Sequence, residues 1–113
     1  MSIPVEDYGH AVLLKPKGEL TEDTLSAFRE VVDHLLEDEA VLDVIVDMED
    51  ITFVDSSVLE YLLDMHDSLK EKFGQVRLAQ CDENIVKILE MTRLDVVFEV
   101  FDNTNDAVRI AGA

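Results

Sequence analysis

Polar and apolar residues alternate in blocks that read as strands and helices in turn. Ile3 to Asp7 predicts a short edge strand, and Ala11-Val12-Leu13-Leu14 a second strand running up to Pro16 and Gly18. Gly9-His10 between them is turn-like, so the two segments predict a hairpin. Leu25, Phe28, Val32, Leu35 and Leu36 then follow at spacings of 3, 4, 3 and 1, one face of an amphipathic helix ending near Glu39. Thr21 is placed to cap that helix, with Glu22 and Asp23 suited to the positive end of its dipole. Val41 to Val46 is short, β-branched and almost wholly apolar, the pattern of a strand buried on both faces. Asp47 to Asp50 leaves the sheet, and Ile51 to Val54 leads into Asp55-Ser56-Ser57.

From that triplet a second long helix is predicted to about Phe73, with Gly74 placed to stop it. Gln75 to Gln80 reads as a strand. Asp82 can cap a third helix carrying Ile85, Ile88, Leu89 and Thr92 on one face. Val96 to Phe101 predicts the last strand and Asn103 to Ile110 a short final helix. The expectation is one α/β domain over residues 1–113, with four to five strands in a mostly parallel mixed sheet and about four helices joined by right-handed crossovers.

Composition narrows the function. Asp and Glu number 26 against 9 Lys and Arg, a formal charge of −17. Such a field repels phosphate backbones and anionic headgroups, so nucleic acid is not an expected partner, whereas a basic protein face is drawn in. No apolar stretch approaches the ~20 residues of a membrane span, and the N-terminus lacks the pattern of a signal peptide; the cytoplasm is the expected location. A single cysteine, Cys81, excludes an internal disulfide and a thiolate zinc site. The glycines are scattered singly, so there is no phosphate loop, and no cofactor is expected.

Helical geometry at about 100° per residue sorts the second helix. Leu59, Leu62, Leu63, Leu69 and Phe73 share the core side, and His66 sits mid-face among them as a buried structural histidine. Glu60, Asp64, Asp67 and Glu71 form a solvated row. Val58, Tyr61 and Met65 form a separate apolar stripe that either packs under a neighbouring segment or meets a partner. Ser57 points away from the core in the first turn, so it is expected to be exposed, and Asp55 is the better N-cap candidate. Ser57 and His66 lie about 180° apart around the helix, which is poor geometry for a catalytic pair; the reading is of a binding module, not an enzyme.

The run Asp47-Met48-Glu49-Asp50-Ile51-Thr52-Phe53-Val54-Asp55-Ser56-Ser57-Val58-Leu59 resembles the signature of STAS-domain proteins, and within them that of bacterial anti-sigma-factor antagonists. Gly18-Glu19-Leu20 matches the family's Gly-Glu-Leu turn, and the order of strands and helices agrees over nearly the whole chain. The resemblance implies that Ser57 is a phosphoacceptor and that Asp55 and Ser56 complete the motif. It implies an anti-sigma factor with serine kinase activity as partner, bound while Ser57 is unphosphorylated, and a PP2C-type phosphatase that resets the switch. The partner surface would include Val58, Tyr61, Met65, Thr21 and Asp23. Two positions depart from the family pattern: Val58 where a small residue is usual, and Thr21 where Asp commonly follows Gly-Glu-Leu. The alternative on the same fold is a STAS subunit of a stress-signalling or lipid-transport ABC complex without a phospho-switch.

Overall fold

A computed structural model describes residues 3–111. In chain order its elements are β1 (Val5–Asp7), β2 (Ala11–Leu14), β3 (Gly18–Leu20), α1 (Glu22–Leu36), β4 (Asp43–Asp47), β5 (Ile51–Val54), α2 (Ser56–Lys70), β6 (Val76–Ala79), α3 (Glu83–Met91), a 3₁₀ turn at Leu94–Val96, β7 (Glu99–Phe101) and α4 (Thr104–Ile110). The main sheet has the order β1-β2-β4-β6-β7, antiparallel between β1 and β2 and parallel elsewhere. The predicted hairpin forms: Gly9 adopts the left-handed φ of 82°, and the Tyr8 N–H donates to the Ala11 carbonyl at 2.8 Å.

Strand alternation divides the sheet into two faces. Val12, Leu14, Val44, Val46, Val76 and Leu78 pack against Phe28 and Val32 of α1, Leu62 and Leu69 of α2, and Ile85 and Leu89 of α3. On the other face Ala11, Leu13, Ile45 and Ala79 pack against Ala107 of α4. A parallel sheet covered on both sides makes β4 a wholly buried strand, including its end residues Asp43 and Asp47.

Three local expectations are corrected. The last strand is shorter than Val96–Phe101, because the amides of Val97 and Phe98 donate to the Leu94 carbonyl at 3.0 and 2.9 Å; this 3₁₀ turn leaves Val96 exposed while Phe98 fills the core. α2 stops at Lys70 rather than Phe73. The left-handed residue of its closing turn is Phe73 (φ 65°), with Gly74 N–H donating to the Leu69 carbonyl and Phe73 N–H to that of Lys70. Gly74 is required for a different reason: a β-carbon there would collide with the Leu42 carbonyl oxygen.

The largest departure from expectation is a second sheet. β3 and β5 pair in parallel, matching Gly18 with Ile51, Glu19 with Phe53 and Leu20 with Val54. Neither three- to four-residue segment has a periodicity that identifies it. Their pairing sets the starts of α1 and α2 side by side, since each helix follows directly on one of the two strands.

Candidate functional site

Asp55 occupies the junction between β5 and α2. Its own N–H donates to the Leu20 carbonyl at 3.2 Å, extending the β3–β5 pairing, and its backbone is extended (φ −110°, ψ 177°) as an N-cap requires. One carboxylate oxygen, Oδ1, accepts the Val58 N–H of its own helix at 3.2 Å. The other, Oδ2, accepts the Glu22 N–H at the start of α1, 33 residues away, at 2.9 Å. One side chain therefore satisfies amides at the starts of two helices, where backbone N–H groups lack helical partners. The Glu22 amide holds the Asp55 carboxyl below the usual carboxylate range against the opposing effect of burial, helped by the Val58 amide and by the Ser57 amide and hydroxyl.

Thr21 stands at the N-cap position of α1, as the sequence suggested. The capping differs in detail: the Thr24 hydroxyl accepts the Thr21 N–H at 3.0 Å, and the Glu22 amide is served by Asp55. Thr21 is half-buried, and Asp23 is exposed beside it. Glu19 and Glu22 are also exposed on the segments that converge here, so the site is acidic at its surface. Phe53 of β5 is the exposed apolar exception, at 48%.

Within the triplet Ser56 is exposed and Ser57 half-buried, which corrects the expectation of a freely exposed Ser57. It follows the Asp55 cap by two residues in the first turn of α2. Ser56 borders a shallow apolar groove of about 200 Å³ formed with Leu59, Leu63 and Leu94.

The stripe of Val58, Tyr61 and Met65 is not a free surface. Val58 is 0% exposed and Met65 4%, both inside the main core. Tyr61 is half-buried between the helices: its ring meets Phe28 edge-on at 6.0 Å, the Arg29 guanidinium lies 4.9 Å from the ring centre, and its hydroxyl donates to Asp33 Oδ1 at 3.2 Å. Burial, reinforced by Asp33, raises the Tyr61 phenol pKa. The stripe faces α1 because α1 and α2 start together and pack alongside each other, so the larger Val58 at the family's small position is accommodated inside the protein. Direct contact of Val58 or Met65 with a partner is thereby excluded in this conformation.

The remaining chemically capable side chains are occupied elsewhere. His66 is buried as expected, its Nδ1 accepting the Val76 N–H at 3.1 Å and its ring edge-on to Phe98 at 5.5 Å. Burial is the largest of the influences that lower its pKa. Cys81 is half-buried, and burial, aided by Asp82 and Asp47, pushes its thiol up to about 12, so it stays protonated at neutral pH. Asp47 was expected to leave the sheet; instead it is buried at the end of β4, where it accepts from the Gln80 side chain at 3.0 and 3.1 Å, the Thr104 hydroxyl at 3.2 Å and the Glu49 amide at 3.0 Å. Among the described residues no three His, Cys, Asp or Glu side chains converge to hold a metal ion. The two larger clefts, of about 550 Å³ beside β7 and about 640 Å³ between β1 and α1, do not include Ser57.

The fold recurs in solved structures. One from Thermotoga maritima, provisionally described as an anti-sigma factor antagonist, superposes with a TM-score of 0.88 at 21% identity, over 98% of this chain and 95% of that one. The anti-sigma factor antagonist SpoIIAA superposes in its unphosphorylated form with a TM-score of 0.77 at 20% identity, over 99% of this chain and 100% of that one. In its phosphorylated form, described as a Bacillus cell fate determinant, the values are 0.75 and 19%, over 96% and 97%. A sulfate transporter family protein from Wolinella succinogenes superposes with a TM-score of 0.77 at 16% identity, over 96% of this chain and 89% of that one. No curated protein matches the chain by sequence. At these identities the structures establish the fold, and the family follows from the sequence itself: the model of the STAS domain matches residues 2–107, so the chain belongs to the STAS domain family.

Proposed function

We propose that this STAS domain is an anti-sigma-factor antagonist that works as a phosphorylation-switched binding module in the cytoplasm, without catalysis of its own. The observation that carries the reading is the place of Ser57: a half-buried serine in the first turn of α2, two residues beyond the Asp55 cap at an acidic surface. Thr21, Asp23, Ser56 and Phe53 surround it as candidate contacts for the basic face of an anti-sigma factor, with Tyr61 contributing its accessible edge. That partner is also the proposed serine kinase. The Ser57 oxygen takes the terminal phosphoryl group of ATP, ADP leaves, and the hydroxyl proton passes to a base of the kinase. The resulting charge of about −1.5 to −2 falls where carboxylates already stand, and it opposes a complex formed with the unmodified surface. A PP2C-type phosphatase restores the hydroxyl by hydrolysis.

The test is binding to the candidate anti-sigma factor by calorimetry. Ser57→Ala should bind whether or not ATP and the kinase are present. The Ser57→Asp and phosphorylated proteins should lose at least about tenfold in affinity, equivalent to 1.4 kcal/mol. Equal affinities for the Ala, Asp and phosphorylated forms would refute the switch. The similarity to a sulfate transporter family protein supports a second reading, a STAS subunit of a stress-signalling or transport complex in which Ser57 is silent. No described helix is long and apolar enough to cross a membrane. A neighbouring permease gene would favour that reading, and neighbouring kinase and sigma-factor genes the first.

A further inference from the structure

We infer that Asp55 is a positioning residue that couples Ser57 to the start of α1, so that phosphorylation of Ser57 releases the first turn of α1 as well as changing the surface of α2. The inference rests on the reading of Ser57 as phosphoacceptor and adds how the modification is transmitted. The geometry is a shared carboxylate: Oδ2 takes the Glu22 amide at 2.9 Å and Oδ1 the Val58 amide at 3.2 Å, and Ser57 lies two residues beyond it in the first turn of α2.

Esterification of the Ser57 oxygen removes its hydroxyl proton. It also sets a phosphate carrying about −1.5 to −2 charge next to the ionised Asp55. Like charges brought close at a protein surface repel by an amount comparable to or greater than the net gain of one hydrogen bond. The phosphate can accept amides at the start of its own helix, for which its oxygens are suited. The Glu22 amide belongs to the other helix and is left to solvent. Thr21 and Asp23, on either side of Glu22, then lose the anchor that sets their position relative to α2. A partner that contacts both helix starts would meet the modification at two places, one of them distant in sequence from the phosphate.

The measurement uses the full chain with phosphoserine inserted at position 57 during translation, so neither kinase nor partner is needed. Amide exchange read by NMR should be about tenfold or more faster at Glu22 in the phosphorylated protein than in the unmodified one, the consequence of losing a hydrogen bond to a charged acceptor. Asp55→Asn, which keeps only one acceptor oxygen, should free Glu22 similarly without any phosphate. A ³¹P titration gives a second readout. The phosphate should ionise above the ordinary value of about 6 beside Asp55, and shift downward in the Asp55→Asn background. Unchanged Glu22 exchange on phosphorylation overturns the inference, as does a phosphate titration indifferent to Asp55→Asn. If Asp55→Asn fails to fold, the comparison of phosphorylated with unmodified protein still decides. Partner binding separates the two ideas: binding lost with Glu22 still protected leaves the switch and removes the coupling, whereas Glu22 released with binding intact does the reverse.

Discussion

At its N-terminal end α2 begins on a single carboxylate shared with another helix, whereas at its C-terminal end it stops against backbone that admits no side chain. The N-terminal end is polar, partly exposed, and held by the two hydrogen bonds of Asp55. The C-terminal end is held by packing and by buried polar groups. Gly74 lies against the Leu42 carbonyl, the Gln75 amide donates to Asp43 Oδ1 at 3.0 Å, and the Val76 amide donates to His66. Asp43 in turn faces Arg77, whose Nη1 lies 2.6 Å from Oδ1. That contact is ionic rather than a well-aligned hydrogen bond, since neither Nη1 nor Nε has an aligned acceptor. Carboxylate caps can exchange partners at modest cost, but close-packed backbone cannot. The helix is therefore adjustable at the end that carries Ser57 and fixed at the other.

If that contrast is right, the heaviest losses come from the fixed end. Gly74→Ala should destabilise the fold by about 4 kcal/mol or more, because relief requires the β4 approach or the helix turn to move; a loss below about 1 kcal/mol in chemical denaturation would break the comparison. Asp43→Leu should cost about 3 kcal/mol, since it leaves Arg77 with only Glu99, at 3.7 Å, and strands the Gln75 amide.

A pH effect from the same end sharpens the picture. Burial lowers the His66 pKa in the folded state, with Lys70 acting in the same direction and Asp67 against it. The unfolded chain, with histidine near 6.5, therefore binds the proton first. Stability from this group is complete above about pH 6.5 and declines as pH falls below it. Denaturation at pH 7 and 5.5 should show that decline, and His66→Gln, which keeps an acceptor without titrating, should flatten it; an unflattened curve would assign the decline to other groups. The smallest effect should be a gain. Phe73 holds a left-handed φ of 65° with its ring 98% exposed, so Phe73→Gly sacrifices no packing and should raise stability by up to about 1 kcal/mol. A loss on melting would mean that the ring contributes a contact.

Much of this was legible along the chain. Leu25, Phe28 and Val32 are buried as their spacing required, and Asp55 caps α2 as an acceptor before a helical run should. The misreadings have a common cause. Val58 and Met65 stand off the main core face by helical angle, yet α1 covers them. Gly74 stands where a glycine helix stop is expected, although Phe73 supplies that conformation and Gly74 supplies room. The β3–β5 pairing joins segments too short for periodicity to register.

By itself the sequence determined the kinds and order of the elements and the place of Ser57 in a first helical turn. Capping and amphipathic periodicity operate between residues a few positions apart. Only the tertiary structure decided that Asp55 would serve a second helix 33 residues away, that the Val58 stripe would be inside, and that Leu42 would press on Gly74. Those outcomes depend on which distant segments are brought together by sheet pairing and close packing, and no local pattern encodes that.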